Sequence, residues 1–350
     1  MPQAEQRPRI QAAGEMAGFT STASPDYSSF EDYIDYSKPC DKKELFVFGA
    51  LLSAILDSLL FFFSLVGNSL VLWILLKYES LSSITNIFIL NLSITDLLFS
   101  CLLPFWAVYH SLGWIFGDVL CKVMSAVFSV GFYSSIIFLT LMTVHRYLVV
   151  VNPLSALKTR NRQYGVLASL SIWTISIVVT VPVLTSTKVQ SEDNGNFYTC
   201  EYDGVTWEAV STYQQNLLFL ISFTVIVFCY SRILKTLCRS RSHRRHRTVK
   251  LIFVIVVVFF LSWAPYNTII FLHSLYHDCE GSKLLDYARY ICEKVAFSHC
   301  CLNPIFYAFV GIKFRQHLMH LLRCYKLCHY GEPSTRSRIP SHDYEDGSLY

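Results

Sequence analysis

Several polar side chains stand alone inside long apolar stretches of this chain, where they could bind a cation, form ion pairs or hold a hydrogen-bond network. They are Asn68, Asn91, Asp96, Ser135, Asn267, Glu293, His299 and Asn303. Leaving a polar group unsatisfied in apolar surroundings is costly, so such residues are candidates for function by default. Core hydrogen bonding would explain any one of them alone. Because several occur at matching depths, the pattern predicts a connected polar network.

The chemistry-bearing residues do not form a pattern typical of an enzyme. Bond-breaking catalysis needs a nucleophile beside a base, or a metal cluster. The closely spaced His243 and His246 lie in a basic segment without a neighbouring cysteine or carboxylate. We therefore expect no enzyme, no zinc site and no cofactor beyond a bound sodium ion, which is considered below.

Seven apolar stretches carry the isolated polar residues. They are Leu45–Leu76, Ile84–His110, Val123–Val144, Gly165–Thr187, Ala209–Ser231, Leu251–His277 and Tyr287–Val310. A helix needs about 20 apolar residues to cross about 30 Å of hydrocarbon. Helices also satisfy their backbone polar groups internally, which lipid requires. The sequence therefore predicts an all-α membrane protein, a bundle of seven transmembrane helices.

Composition and charge distribution agree with a membrane bundle. The 350 residues are 53% hydrophobic and 15% charged, whereas a soluble domain carries about 25% charged residues. If residues 1–43 lie outside, most of the 29 Lys and Arg residues fall on the cytoplasmic side, as the positive-inside bias requires. We expect an acidic, disordered extracellular tail over 1–43, the helix bundle over 44–311, a short amphipathic membrane-surface helix over 312–323 and a cytoplasmic tail over 324–350.

Two charged segments flank the predicted bundle. The amino-terminal tail packs carboxylates around Tyr27, Tyr33 and Tyr36, which fits either a solubilising tail or a docking strip for a basic partner. The segment Arg232–Lys250 is basic and contains no acid. Such a run beside a membrane sets topology and touches anionic lipid, and it can also contact a partner protein. We expect membrane lipid as a partner and no nucleic acid.

Two prolines inside apolar stretches predict hinges. Pro265 and Pro304 each remove a helical hydrogen bond, and each lies close to a large aromatic residue, Trp263 or Tyr307. An aromatic side chain that changes rotamer as its helix bends is a bistable element. Arg146, at the end of the third stretch, either extends to the lipid headgroups or takes part in such a switch.

Taken together, the motif residues resemble the rhodopsin class of G-protein-coupled receptors. They are Gly67-Asn68, Leu92, Asp96, Cys121, Arg146, Trp173, Tyr230, Trp263-Ala-Pro265 and Asn303-Pro304 with Tyr307. The resemblance covers about Leu45 to Arg323. Their order and spacing are specific as a set, although each motif alone is weak.

A narrower set of motifs resembles the chemokine receptor family. It comprises Leu103-Pro104-Phe105-Trp106, the cysteines Cys40 and Cys279, Glu293 and His299-Cys-Cys-Leu-Asn-Pro304. Further segments are similar to the XC (lymphotactin) class within that family, namely Ser64–Trp73, Thr85–Asn91, His145-Arg146-Tyr147 and Arg244–Phe253. The resemblance implies a plasma-membrane receptor with an extracellular amino terminus.

The family resemblance implies two disulfides at the outer end. Cys121 would bond to Cys200 and tie the second outer loop to the third helix. Cys40 would bond to Cys279 and tie the tail to the start of the seventh helix. Both bonds would shape the ligand entrance in advance and reduce the entropy lost on binding.

The resemblance also implies a cavity for the amino terminus of a basic chemokine. Its lining would include Trp106, Phe128, Tyr266 and Glu293, and the tail tyrosines would bind the same ligand. Asp57 either faces this cavity or lies close enough to the outer surface to stay solvated. Glu293 pairs either with a ligand cation or with a neighbouring basic side chain, Lys294 or Arg289.

The inner half would carry activation and G-protein coupling. The residues assigned to this role are His145, Arg146, Tyr147, Tyr230, Trp263, Pro265, Asn303, Pro304 and Tyr307. Partners implied by the resemblance are a heterotrimeric G protein of the inhibitory class and arrestin, with chemotaxis and calcium signalling as outcomes. Asp96, Ser135 and Asn303 resemble the family's sodium pocket, where a bound ion favours the inactive state.

One departure from the family pattern bears on signalling. His145 replaces the acidic residue that precedes the conserved arginine. A carboxylate there would restrain Arg146 by an ion pair, which neutral histidine cannot do. Our hypothesis is a weaker inactive-state restraint and some basal signalling. The same departure leaves room for a non-signalling scavenger receptor on this fold.

Three other classes of membrane protein fit less well. A transporter usually shows internal repeats with discontinuous helices, and no repeat is found in the sequence. An intramembrane enzyme would need a nucleophile beside a base or a metal cluster, and no such pattern is found in the sequence. A retinal-binding light sensor needs a lysine seven residues before Pro304, where Phe297 stands.

Overall fold

A computed structural model describes residues 43–153, 162–192, 197–238, 243–275, 279–310, 315–320 and 323. The tail tyrosines, Cys40 and the predicted cytoplasmic tail over 324–350 lie outside the described residues. Residues 315–320 are helical, within the predicted amphipathic segment 312–323, most of whose other residues are not described. The predicted domain boundaries therefore stay predictions.

The described elements are almost all helices. In chain order they are α1 (Lys43–Tyr78), α2 (Ile84–Ser100), α3 (Leu103–Leu112), α4 (Gly117–Val151), α5 (Arg162–Ser186), β1 (Thr187–Glu192), β2 (Phe197–Tyr202), α6 (Val205–Cys238), α7 (His243–His273), α8 (Cys279–Phe297) and α9 (His299–Val310). The two strands pair antiparallel as a hairpin, in a segment that the sequence predicted only as a loop.

Six helical spans within the described residues are long and apolar enough to cross a membrane. They are Val47–Tyr78, Ile84–Leu112, Gly117–Val151, Arg162–Ser186, Val205–Cys238 and Val249–His273. The seventh predicted stretch is also helical but consists of α8 and α9, which meet at Ser298. Its first half carries Arg289, Glu293 and Lys294 and is therefore less apolar. The predicted all-α bundle is confirmed, with six apolar spans and one further, more polar helical segment.

The second membrane span consists of two helices, α2 and α3, and the break between them lies just before Pro104. Pro104 stands in the first turn of α3, directly after α2 ends at Ser100. Proline lacks a backbone N–H and disfavours helical geometry in the residue before it, so it belongs at a helix start. Gly113 then ends α3 with a positive φ of 76°, a conformation that glycine adopts without a Cβ clash.

The outer faces of α1, α5 and α6 are apolar and exposed. Leu51, Phe62, Leu167 and Leu220 are each at least half exposed. Patches of this kind are a liability in water, but they cost nothing against lipid tails. The exposed faces thus indicate the surface that contacts the membrane.

Close packing joins α1 to α9 at the proline hinge. A Cβ placed on Gly67 would lie 2.9 Å from two ring carbons of Pro304. The rigid proline ring cannot move aside, so only glycine permits this approach. The contact brings the first helix against the region that the sequence predicted to bend.

Candidate functional site

A cavity of about 520 Å³ opens at the hairpin end of the bundle. Its lining includes all four predicted cavity residues, Trp106, Phe128, Tyr266 and Glu293. They come from α3, α4, α7 and α8, so the cavity lies between helices that are far apart in sequence. Its size is in the range of sites that bind a small molecule or a peptide end.

The cavity is acidic. Four carboxylate residues line it, Glu201, Glu208, Asp286 and Glu293, against the single guanidinium of Arg289. The Tyr202 hydroxyl also lines it and bonds to Ser211 at 2.7 Å. Burial raises the pKa of Tyr202 above its usual range, so this residue stays neutral. The excess of negative charge favours a cationic ligand.

A disulfide fastens the hairpin to the head of α4. Cys121 and Cys200 are bonded, with Cα atoms 5.6 Å apart, which confirms the first predicted bridge. The hairpin is held further by the backbone N–H of Val189, which donates to Asp118 Oδ1 at 3.1 Å. The other predicted bridge, Cys40 to Cys279, involves side chains outside the described part of the chain and stays a prediction.

Asp57 and Glu293 share one lysine. Lys294 Nζ lies 2.8 Å from Asp57 Oδ2 and 2.9 Å from Glu293 Oε1. The Asp57 side chain is 0% exposed and does not line the cavity. The alternative that Asp57 stays solvated is therefore wrong, and its role in ligand binding stays a prediction. Glu293 pairs with its neighbour, as one alternative predicted, and also faces the cavity.

Trp263 lies beneath the cavity floor. Its ring centroid is 6.3 Å from that of Phe128 and 5.8 Å from that of Tyr266, both cavity residues. On the other side its ring lies 5.5 Å from that of His299. The residue is buried, with 1% exposure, so its ring packs between the cavity floor and His299.

A compact polar cluster surrounds Asp96 below Trp263. Asn303 Nδ2 donates to Asp96 Oδ2 at 2.9 Å, and His299 Nε2 lies 3.7 Å from Asp96 Oδ1. Ser135 donates to the hydroxyl of Thr95 at 3.0 Å. A carboxylate and a hydroxyl with free lone pairs are oxygen donors of the kind that a hard cation takes.

The isolated polar residues form several local clusters rather than the single connected network that the sequence predicted. Asn68 donates to the backbone carbonyl of Cys300 and thereby joins the Asp96 cluster. Asn91 instead bonds to Ser169 and accepts from Trp173.

Arg146 lies at the end of α4 away from the hairpin and is half-buried. Its Nη2 donates to the hydroxyl of Thr85 at 2.7 Å. Within the described ranges Arg146 pairs with no carboxylate, and the Nδ1 atom of His145 is buried without a hydrogen-bond partner. The restraint on Arg146 is thus one bond to a neutral acceptor, a partner that the sequence did not predict.

The aromatic residues expected to support activation lie close to this end. The Tyr147 ring is 6.1 Å from that of Phe228 on α6, and the Tyr230 ring is 5.0 Å from that of Phe253 on α7. Tyr307 is buried, with 3% exposure. These contacts join α4, α6 and α7.

Comparison with known proteins decides the family. The profile of the 7 transmembrane receptor (rhodopsin family) matches residues 67–307. The chain is 49% identical to chemokine XC receptor 1 of Homo sapiens, over 94% of this chain and 99% of that protein. It is 46% identical to the Mus musculus chemokine XC receptor 1, over 92% and 99%, and 40% identical to human C-C chemokine receptor type 4, over 87% and 88%.

This chain belongs to the chemokine receptors of the rhodopsin family. The receptor is therefore a multi-pass protein of the plasma membrane. Family membership also identifies it as a chemokine receptor and not an enzyme. Membership of this family also excludes the transporter and light-sensor alternatives.

Three features of this receptor were not predicted from its sequence. They are the pairing of Lys294 with Asp57, the Thr85 bond to Arg146 and the approach of Cys300 to Asp96 and His299. Only the Lys294–Asp57 pair could have been suspected from the sequence, because Asp57 is the single charged residue in the first apolar stretch and a buried carboxylate needs a cationic partner. The other two depend on how neighbouring helices are rotated.

Proposed function

We propose that this receptor binds an XC-class chemokine and activates a heterotrimeric G protein of the inhibitory class, which leads to chemotaxis and calcium signalling. The observation that carries the proposal is the acidic cavity above Trp263. A basic ligand first meets acidic outer segments, where charge complementarity mainly speeds encounter. Its amino terminus then enters the cavity and favours the signalling state, so the population of states shifts.

The proposed orientation places the amino terminus and the cavity outside the cell. The basic segment Arg232–Lys250 then lies in the cytoplasm, in agreement with the positive-inside bias. The disulfide between Cys121 and Cys200 lies at the cavity end, and disulfides persist in an oxidising compartment. The tail tyrosines Tyr27, Tyr33 and Tyr36 would contribute to ligand docking.

At the inner end, Arg146 is the proposed contact for the G protein. Within the described residues it is bonded to the neutral hydroxyl of Thr85, a bond that Arg146 would exchange for another partner when α7 moves outward. Tyr230 and Tyr307 would support that open form, with bending at Pro265 and Pro304. Arrestin would use the same opening.

Ligand-stimulated nucleotide exchange tests the proposal. Purified receptor in lipid discs is mixed with an inhibitory-class G protein, and exchange is measured with and without XC-class chemokine. Stimulated exchange is the expected result. Binding without exchange would instead favour a scavenger receptor, the second candidate, which the missing carboxylate beside Arg146 supports.

We further propose that the family's sodium ion binds at Asp96, Ser135 and Asn303. The Asp96 carboxylate and the Ser135 hydroxyl would supply oxygen ligands: Ser135 bonds to Thr95, the neighbour of Asp96, and Asn303 contacts the carboxylate directly. Bound sodium would supply a positive charge that holds α2, α4 and α9 together in the inactive state.

Glu293→Gln is expected to raise the chemokine concentration for half-maximal exchange by at least about tenfold. The change removes one charge-assisted bond to the ligand, worth about 1.5–3 kcal/mol. Lys294 keeps Asp57 as a partner, so the fold is retained. Asp203→Asn is the control, since Asp203 pairs with Lys188 outside the cavity. Undiminished potency in Glu293→Gln would remove this residue from the ligand site.

His145→Asp is expected to lower ligand-free exchange. An aspartate beside Arg146 provides the ion pair that the described structure lacks, and the restrained state gains stability. His145→Asn serves as the neutral control and should leave basal exchange near that of the natural protein. Basal exchange that stays unchanged or increases in His145→Asp would contradict the weak-restraint hypothesis.

A further inference from the structure

One buried lysine connects the acidic cavity to a carboxylate that the cavity does not reach. Glu293 lines the cavity, whereas Lys294 and Asp57 are not part of its lining. The side chains of Lys294 and Asp57 are 3% and 0% exposed, against 14% for Glu293. The three groups therefore form a row that leads from the cavity into the contact between α8 and α1, and a ligand in the cavity touches only the first of them.

The ammonium group of Lys294 already occupies the place of a ligand cation. It lies between the carboxylates of Asp57 and Glu293, at 2.8 Å and 2.9 Å. Its third side lies over the ring of Phe297, 5.3 Å from the centroid, where the aromatic face attracts a cation. Phe297 is itself a cavity residue. A cation that enters the cavity and binds Glu293 must therefore compete with Lys294.

The charges of the row favour such a competitor. Two carboxylates face one ammonium, so the row carries one uncompensated negative charge, and a buried charge without a partner is costly. Arg289, one helical turn from Glu293, is shared with other carboxylates of the cavity. A second cation at Glu293 would leave each of the two carboxylates with a cation of its own.

Asp57 has an unused acceptor for the displaced lysine. Its Oδ1 atom is buried and has no hydrogen-bond partner within the described residues, and an unsatisfied buried acceptor is unfavourable. An ammonium has three N–H donors. When Lys294 loses Glu293 it can donate to both oxygens of Asp57, and this new bond offsets the one that is lost.

We propose that Lys294 is a resident counter-ion of Glu293, which the cationic end of the ligand displaces and which Asp57 then holds alone. Lys294 and Asp57 are thus positioning residues that select a cationic ligand end without touching it, because a neutral end cannot replace the ammonium at Glu293. The inference rests on the proposed function only in taking a chemokine as the source of that cation.

Chemokine binding to the purified full-length receptor in lipid discs tests the exchange. Asp57→Asn should raise the dissociation constant of an XC-class chemokine by at least about tenfold, because the displaced Lys294 then lacks its second carboxylate. In a Glu293→Gln receptor the same change should raise it by less than about threefold, since no ion pair has to be exchanged there. Asp203→Asn is the control in both backgrounds, because Asp203 forms an exposed pair with Lys188. Equal effects of Asp57→Asn in the two backgrounds would overturn the proposal.

The double variant with Asp57→Asn and Lys294→Met removes the competitor and keeps the net charge. It should bind the chemokine at least about threefold more tightly than the natural receptor, because Glu293 is then free for the ligand cation. An affinity no higher than that of the natural receptor would contradict the exchange, since a lysine with a purely structural role does not compete with the ligand.

A measurement without ligand separates the exchange from the proposed function. Glu293→Gln should change the melting temperature by less than about 2 °C, because Asp57 takes over Lys294. Asp57→Asn should lower it further in the Glu293→Gln receptor than in the natural one, since Lys294 then has no carboxylate. A loss in Glu293→Gln as large as that in Lys294→Met would overturn the takeover by Asp57. Failure of the natural receptor to bind XC-class chemokine would refute only the proposed ligand.

Discussion

Replacing Lys294 with methionine is expected to destabilise the receptor by about 3–5 kcal/mol, because it leaves the fully buried Asp57 and the partly buried Glu293 without their shared cation. The Asp57 side chain is fully buried, and its Oδ1 atom already lacks a hydrogen-bond partner within the described structure. Lys294 is therefore the group that compensates this charge. A fall of at least about 5 °C in melting temperature of the purified receptor should follow.

An exposed lysine supplies the matched control for Lys294→Met. Lys122 pairs with Asp118 at 2.6 Å, but the two side chains are 36% and 47% exposed. Exposed pairs contribute about 0–1 kcal/mol, so Lys122→Met should change the melting temperature little. Combining Lys294→Met with Asp57→Asn should recover part of the loss, because one uncompensated charge is then gone. Equal effects of the two single lysine changes would contradict the buried-pair argument.

Removing the disulfide by Cys121→Ser is expected to abolish high-affinity chemokine binding and to lower stability by about 3–5 kcal/mol. The bond joins residues 79 positions apart in the sequence. A cross-link over a loop of this length lowers the entropy of the unfolded chain, which stabilises the folded state by several kcal/mol. The hairpin residues Glu201 and Tyr202 line the cavity, so an unfastened hairpin no longer presents them. Ligand binding and melting temperature measure the two effects.

Two further variants separate the disulfide from a general effect of cysteine removal. Cys238→Ser replaces an exposed, unpaired cysteine at the far end of α6 and should leave binding unchanged. The double variant with Cys121→Ser and Cys200→Ser should match the single variant, because either change breaks the same bond. Binding that persists in Cys121→Ser would show that the hairpin is held in place without the bridge.

Much of the architecture follows from local sequence features. Long apolar stretches specify membrane helices whatever their neighbours, because lipid leaves the backbone no other way to satisfy its polar groups. Pro104 and Pro265 also act locally, through the missing N–H. The family resemblance implied that Trp106 and Glu293 line a common cavity, and the structure places both in its lining.

Only the tertiary structure decided which polar groups meet. Lys294 and Asp57 are 237 residues apart, and their contact depends on the rotation of two helices about their own axes. Hydropathy alone leaves that rotation open. The same holds for Cys300, which a small turn of α9 would direct away from Asp96. Apolar length thus determines which segments enter the membrane, whereas side-chain packing between helices determines the ion pairs and the buried polar cluster around Asp96.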